Sequence, residues 1–457
     1  MAPPIHMHFL ILFVALICSS AAVLVQSQVP KNQTLQFINQ GEFSDYIVEY
    51  DANHRLIRTE NDTLFSTDTF FTYPFRLCFY NTTPDAYVLG MRAGIPRDED
   101  LMRWVWDANR NDPVRENATL TFGRNGNLVL ADVDGRIVWQ TNTANKGVTG
   151  ISLQPNGNLV LTDKNGRFVW QSFDFPVDTL LVGQSLKLNG GRKQLVSRTS
   201  DVDGRDGPYS IVIDKKGFTQ YLKTAGKPLQ YGGWGGEGFL NVSFEAVPED
   251  QSITSYELTL AFGERQQPST PARHLLQSRP VDNSRGIILK KVNYNATYSF
   301  FRLESDGNLK VFTYYTNTSY QKWDETYAFF GDDVRECGLP SKCGSFGFCD
   351  KRMCIACPSP KGLLGWSESC KPPAAPSCTN GGAGAKYYKI AGVQHFTSPY
   401  DEGQGPMKVT DCRDKCSKDC KCVGFFYREE SSKCFPVPVL GTLIKDVNTS
   451  HVGYIKY

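Results

Sequence analysis

The sequence predicts a mainly β protein with a disulfide-rich C-terminal end, and three observations carry that expectation. A strand-like stretch repeats. GRNGNLVLADVDGRIVWQT (123–141) returns as QPNGNLVLTDKNGRFVWQS (154–172), sharing NGNLVL, the following Asp, Gly-Arg and Val-Trp-Gln without a gap. Self-similarity at a fixed short period means one small supersecondary unit used several times. The composition agrees, since 12% aromatic residues, 40 Gly and 25 Pro suit a turn-rich β chain. The cysteines also crowd one end, with twelve of the 14 lying between Cys337 and Cys434.

At 457 residues the chain has room for about three ordinary domains. A net charge of +2 and a pI near 7.8 carry no footprint for nucleic acid or an acidic membrane. Residues 1–27 contain FLILFVALICSSAA, an apolar run ending in small residues that reads as a signal peptide, although no Lys or Arg precedes it. Eight N-x-[ST] acceptors, at Asn32, Asn61, Asn81, Asn117, Asn241, Asn295, Asn317 and Asn448, agree with secretion. No later stretch is apolar enough to span a bilayer, and the polar tail HVGYIKY offers no lipid-anchor signal. The expected product is a secreted, extracellular glycoprotein without a membrane anchor.

Without Cys18, thirteen cysteines remain: Cys78 alone, six from Cys337 to Cys370, and six from Cys378 to Cys434. The long stretch before Cys337 must therefore rely on an ordinary core, whereas the end forms two small modules that need covalent staples. The spacing Cys354-x-x-Cys357 could ligate zinc, but close-spaced even sets in a secreted chain favour disulfides, so no metal or other cofactor is expected. Cys78, in the alternating run FRLCFY, reads as a buried thiol, with an intermolecular bridge as the alternative.

Each repeat carries an Asn-Gly turn, a short Leu/Val run and a second turn, Asp134-Gly135 or Asn165-Gly166, which are hairpin signals. Trp106, Trp139 and Trp170 recur at equivalent places, and three such indoles meeting at one axis would centre a threefold prism of small sheets. Residues two apart share a strand face, so Gln154, Asn156, Asn158, Val160 and Thr162 form one row. Amides bridge pairs of sugar hydroxyls and a small apolar neighbour packs on the sugar C–H face, a pocket that needs no metal. The first repeat offers Asn125, Asn127 and Val129 in the same row. The simpler alternative is that NGNLVL only builds hairpins.

The repeat resembles the bulb-type (G-type, mannose-binding) lectins of plants, whose site motif is Q-x-D-x-N-x-V-x-Y. WVWDANRNDPV (104–114) and WQSFDFPVDTLLVGQ (170–184) resemble the hallmarks of such domains in S-locus glycoproteins. From residue 43 onward the whole chain is most similar to the epidermis-specific secreted glycoproteins of plant cell walls. Against the lectin motif, the second repeat keeps Gln154, Asn158 and Val160 but has Asn156 for Asp and Thr162 for Tyr; the first keeps only Asn127 and Val129. A bond to a charged acceptor contributes roughly 1.5–3 kcal/mol against about 1 for a neutral one, so these losses weaken a site that is weak to begin with.

The resemblance implies tandem β-prism II domains at 43–187 and 195–330, with GPYSIVIDKKGFTQYL and FFRLESDGNLKVFTY as hairpins of the second. There Glu304, Asp306, Asn308, Lys310 and Phe312 occupy the site row, which does not suit mannose. GGWGGEGFLN (232–241) reads as a loop, too glycine-rich for a strand. Residues 336–371 resemble an EGF-like module lacking a calcium signature, and 378–457 a PAN/apple domain, a helix packed on a curled sheet. For the latter the resemblance implies Cys412–Cys434, Cys416–Cys422 and Cys378–Cys420, with the KCSKDCKC charges on a solvated helix face.

Three functions compete. A lectin-like cell-wall protein would recognise mannose-type glycans, or cell-wall glycoproteins carrying them, weakly. A degenerate lectin scaffold would bind other proteins. An enzyme would need an assembled constellation, and neither G-x-S-x-G, HExxH nor kinase signatures occur. His54, His274 and His395 sit in unrelated contexts and read as surface residues, so no catalytic residue is assigned. With at most one intact site, useful avidity would require a homodimer.

Overall fold

The computed structural model of the chain describes residues 28–43, 52–58, 69–94, 102–189, 192–215, 217–235, 239–248, 254–262, 280–281, 284–292, 297–315, 323–333, 335–374 and 384–457. The signal segment 1–27, Asn61, His274, Asn295, Asn317 and Cys378 lie outside them.

The repeats fold as hairpins for local reasons. Gly126 and Gly157 take φ of 79° and 86°, which an Asn-Gly turn requires and other residues resist. The packing is equally restrictive: a Cβ on Gly157 would lie 2.7 Å from Leu181 and 2.9 Å from Phe75. Strand Leu128–Ala131 then pairs antiparallel with Ile137–Gln140, and Leu159–Asp163 with Phe168–Gln171. Alternation sends Leu128, Leu130, Leu159 and Leu161 into one core.

Three antiparallel sheets enclose that core. One contains Leu35–Ile38, Thr119–Phe122, Leu128–Ala131 and Ile137–Gln140; the second contains Val148–Leu153, Leu159–Asp163 and Phe168–Gln171. The third centres on Phe75–Thr83, Ala86–Ala93 and Arg103–Asp107. The tryptophans meet where the sheets converge, with ring centroids 5.9 Å (Trp106–Trp139), 6.4 Å (Trp106–Trp170) and 5.8 Å (Trp139–Trp170) apart, all edge-to-face. Edge-to-face contacts suit the indole quadrupole and add about 0.5–1.5 kcal/mol per pair beyond burial. Cys78 is fully buried beside Tyr80 and Trp104, which removes the intermolecular-bridge alternative.

The expected boundaries of this unit shift at both ends. Leu35–Ile38 precedes residue 43 yet forms an edge strand on Thr119–Phe122, because the alternating Phe37 packs onto the core. Residues 179–187 pair their backbone with the second unit, although Leu181 still packs in the first core. Thr179–Leu181 pairs with Thr297–Leu303, and Gln184–Lys187 pairs with Phe239–Pro248. Among the described residues the second unit also has three sheets, built around those strands and around Asp203–Asp214 with Gly217–Leu222.

The glycine-rich stretch expected as a loop is largely strand: Leu229–Gly235 pairs with Gly217–Leu222, and Phe239–Pro248 follows. The glycines serve close approach. A side chain on Gly232 would collide with Gln220, and one on Gly233 would lie 2.7 Å from the Phe218 carbonyl. Trp234 uses that room to stack on Phe218 at 5.0 Å.

The C-terminal region carries disulfides Cys337–Cys349, Cys343–Cys354, Cys357–Cys370, Cys412–Cys434 and Cys416–Cys422. Its two modules share a sheet: Phe346–Asp350 runs parallel to Gly441–Lys445, joining Met353–Ser359 and Gly362–Gly365 to Val393–His395. The one α-helix among the described residues, Val409–Lys418, buries Cys412 and Cys416 and exposes Arg413, Lys415 and Lys418. No helix among the described residues is long and apolar enough to cross a membrane.

Two histidines expected at the surface are in fact interior. His54 lies edge-on to Trp104, and His395 accepts from Thr397 at Nδ1 (2.7 Å) while its Nε2 donates to the Val439 carbonyl (3.0 Å). Burial lowers both to about 4, so they are neutral at pH 7. Their flanking residues alternate as strands, and that pleat carries each ring inward.

Candidate functional site

The second repeat sets its row on the outer face of the Val148–Leu153/Leu159–Asp163 pair. Directly opposed residues share a face, so Ser152 stands beside Val160 and Gly150 beside Thr162. Gln154 enters the turn half-buried and donates to Ser152 Oγ at 2.9 Å. Asn156 is exposed at the turn, its Oδ1 accepting from the Asn158 N–H at 3.2 Å. Gly150 brings two polar side chains close over this face. The position its Cβ would take is 3.3 Å from Thr162 Oγ1 and 3.6 Å from Gln33 Oε1. Gln33 comes from the short 3-10 turn Lys31–Gln33, so the N-terminal segment delivers an amide beside the position where the lectin motif has Tyr.

Asn158 does something else. It is buried, with Oδ1 accepting from Phe173 N–H (3.2 Å) and Ser172 Oγ (3.3 Å), and Nδ2 donating to Gln171 Oε1 (2.9 Å). Asn127 repeats the pattern: Oδ1 accepts from Thr143 N–H (3.0 Å) and Thr141 Oγ1 (3.1 Å), and Nδ2 donates to Gln140 (2.8 Å). Asn308 in the second unit likewise accepts from Phe330 N–H at 3.0 Å. In all three the Asn of N-G-N or D-G-N pins the turn to the chain that follows the hairpin. The expected five-residue row therefore splits. Gln154, Asn156 and Thr162 reach solvent, Asn158 holds the turn, and Val160 is fully covered. In the first repeat Asn125 is exposed, its Oδ1 accepting from Asn127 N–H at 3.1 Å, and Val129 is half-buried.

The Asp shared by the repeats shapes the second turn. Asp163 Oδ1 accepts from the N–H groups of Arg167 (2.9 Å) and Asn165 (2.8 Å), which lowers its pKa. Among the acceptor asparagines, Asn32, Asn117 and Asn448 are exposed and Asn241 is half-buried. Asn81 is 5% exposed within strand Phe75–Thr83, a poor position for a glycan.

The two other long motifs meet in a buried charge cluster that sequence reasoning did not assemble. Asp178 is fully buried. Its Oδ2 accepts from Arg198 Nε (2.5 Å) and Arg110 Nη1 (3.2 Å), and its Oδ1 from Thr179 Oγ1 (2.7 Å). Arg302 joins through Thr179 Oγ1 (3.1 Å), and both Arg198 and Arg302 donate to the Trp104 carbonyl. Desolvation alone would raise the Asp178 pKa, but the three guanidiniums outweigh it and hold the carboxyl well below the usual range. Arg110 of WDANR and Asp178 of FPVDT thus bolt the first unit to the second. The signal available in the sequence was the presence of charged residues inside strongly apolar motifs.

The family model described as D-mannose binding lectin matches residues 103–201. The chain is 56% identical to EP1-like glycoprotein 2 of Arabidopsis thaliana, with 98% of this chain and 99% of that protein covered. It is 44% identical to the epidermis-specific secreted glycoprotein EP1 of Daucus carota, over 80% and 92% of the two chains. It is 28% identical to the S-locus-specific glycoprotein BS29-1 of Brassica oleracea var. alboglabra, over 82% of each.

Proposed function

Since the chain belongs to the EP1-like glycoprotein family, a lectin-like group related to S-locus glycoproteins, we propose that it is a secreted cell-wall glycoprotein that binds mannose-type glycans weakly and without catalysis. Gln154 and Asn156 would contact the sugar, Asn158 would hold their turn in place, and Thr162 with Gln33 would offer further polar groups beside Gly150. The observation that carries this reading is the polar row of Gln154, Asn156 and Thr162, which reaches solvent on the repeat that retains most of the lectin motif. The architecture is read as two successive β-prism II domains, an EGF-like module and a PAN/apple domain. The last of these is proposed to hold Cys378–Cys420 alongside the two observed bonds and to pair two copies.

A second reading has its own support. Because Asn127, Asn158 and Asn308 are all explained by pinning turns, the repeated motif needs no sugar to account for it. On that reading the sheets are scaffold, and the exposed Leu363 and Leu364 of the cysteine-rich hairpin belong to a protein-binding face. Binding of the secreted protein to a glycan array, beside a Gln154→Ala/Asn156→Ala variant, separates the two. Mannose-dependent signal lost in the variant supports the first reading, and a flat array supports the second. Asn158 is left intact because its loss would disturb folding as well as binding.

A further inference from the structure

We propose that the cleft between the second β unit and the cysteine-rich module is a separate binding site for a neutral oligosaccharide. It measures about 650 Å³, within the range of about 300–1,000 Å³ typical of small-molecule pockets, and it lies where two modules meet, a favoured location for them. One wall is the hairpin turn and strand Asp306, Asn308 and Lys310 with Glu325 from the neighbouring strand; the other is Glu336, Lys342 and Arg352 of the cysteine-rich module. The turn is the third copy of the pinned geometry described above. Here, however, another module roofs it.

The walls are held rigidly. Leu339 of the cysteine-rich module is buried in the core of the second unit with Phe329 and Phe330, and Tyr209 donates to Ser341 across the junction at 2.8 Å. A preformed cleft spares the ordering cost that weakens flexible sites.

The ligand class follows from the charge balance. Three carboxylates (Asp306, Glu325, Glu336) face three cations (Lys310, Lys342, Arg352), so the lining sums to zero. Five of the six are already paired: Lys310 with Glu325 at 2.8 Å, and Arg352 with Glu336 at 2.6 Å, joined by Lys342, while Asp306 accepts from the Asn308 N–H at 2.7 Å. An anionic ligand would have to break these pairs, since all three cations are engaged, and a cationic one would find only Asp306 outside them. A polyol would not, because each ammonium keeps spare N–H donors and each carboxylate spare lone pairs. Those groups form short, charge-assisted bonds to hydroxyls. Tyr327 and Phe330 add aromatic carbon to the lining for the C–H face of a sugar ring. Asp306 is exposed at the cleft, and desolvation by the surrounding protein raises its pKa.

Calorimetric titration of the full secreted protein with mannotriose, cellotriose, xylotriose and trigalacturonate tests this. At least one neutral trisaccharide should bind, with affinity unchanged in Gln154→Ala/Asn156→Ala and at least tenfold weaker in Lys310→Met/Glu325→Gln, which removes both members of one pair. Glu325→Trp, at an exposed edge-strand position, should block the mouth without disturbing the fold. The proposal is overturned if no neutral trisaccharide binds, if binding survives both cleft variants, or if trigalacturonate binds more tightly than every neutral probe. Loss only in the Gln154/Asn156 variant would assign the sugar to the second repeat and also overturn it.

Discussion

Replacing Asp178 by Asn keeps the shape of the side chain and removes the charge at the junction of the two β units. In the native protein its carboxylate faces Arg198 Nε at 2.5 Å and Arg110 Nη1 at 3.2 Å, with Arg302 reached through Thr179. Arg110, Arg198 and Arg302 are 5%, 3% and 1% exposed, so water cannot take over from the lost anion. Breaking a buried pair by removing one partner costs roughly 3–5 kcal/mol, chiefly from the uncompensated charge left behind. Unfolding entropy is about 2.1 cal/mol/K per residue, or near 0.6 kcal/mol/K for the roughly 300 residues of the two units, so 4 kcal/mol lowers the melting temperature by about 6 °C. Differential scanning calorimetry at pH 7 reads this directly, and the deficit should persist in 0.5 M NaCl because buried pairs are screened little. Asp206→Asn is the control. It removes an acid that also faces Arg110 but is 44% exposed, and should cost less than about 1 kcal/mol. A variant D178N melting within 1–2 °C of the native protein, or no worse than D206N, would refute the role given to the cluster.

Other outcomes follow from the same contacts. Acid should destabilise the protein well before carboxylates titrate, because His54 and His395 are held near 4, below the unfolded value of about 6.5. Lowered bases lose stability as pH falls through that window, by about 2 kcal/mol each from pH 7 to 5, partly offset by Asp107, whose buried carboxyl is raised. The His395→Gln variant should flatten the slope of chemical-denaturation stability against pH, and an unchanged slope would contradict the assignment. Asp178, with its depressed pKa, contributes above pH 4 and loses its contribution only below that. Asn158→Ala should cost about 2–3 kcal/mol by leaving the buried Phe173 N–H unpaired, whereas Gln154→Ala/Asn156→Ala should cost less than about 1; comparable urea midpoints for both would be inconsistent with the split row. Gly157→Ala, at φ 86° against Leu181 and Phe75, should cost more than about 2 kcal/mol by the same denaturation measurement.

The amino-acid sequence alone determined the features that depend on neighbours in the chain. Asn-Gly and Asp-Gly set positive φ at their glycines, two-residue alternation chose which Leu and Val face inward, and equivalent spacing brought Trp106, Trp139 and Trp170 to a common axis. Turn chemistry and pleat act over a few residues, so they can be read there. The glycines of 232–241 misled because they answer to a cross-strand neighbour, Gln220, rather than to their own flexibility. Asn158 was legible as part of a row but not as a pin, since its partners Ser172 and Phe173 lie beyond the second turn. Tertiary structure alone decided the rest. It gave Leu35–Ile38 to the first unit, paired the backbone of 179–187 with the second, drew Arg110, Arg198 and Arg302 around the buried Asp178 carboxylate, and roofed the Asp306 turn with Glu336 and Arg352. Each of these contacts joins segments far apart in the chain. Such contacts form only where core packing repays the entropy of closing the loop between them, a sum over the whole fold that no local pattern encodes.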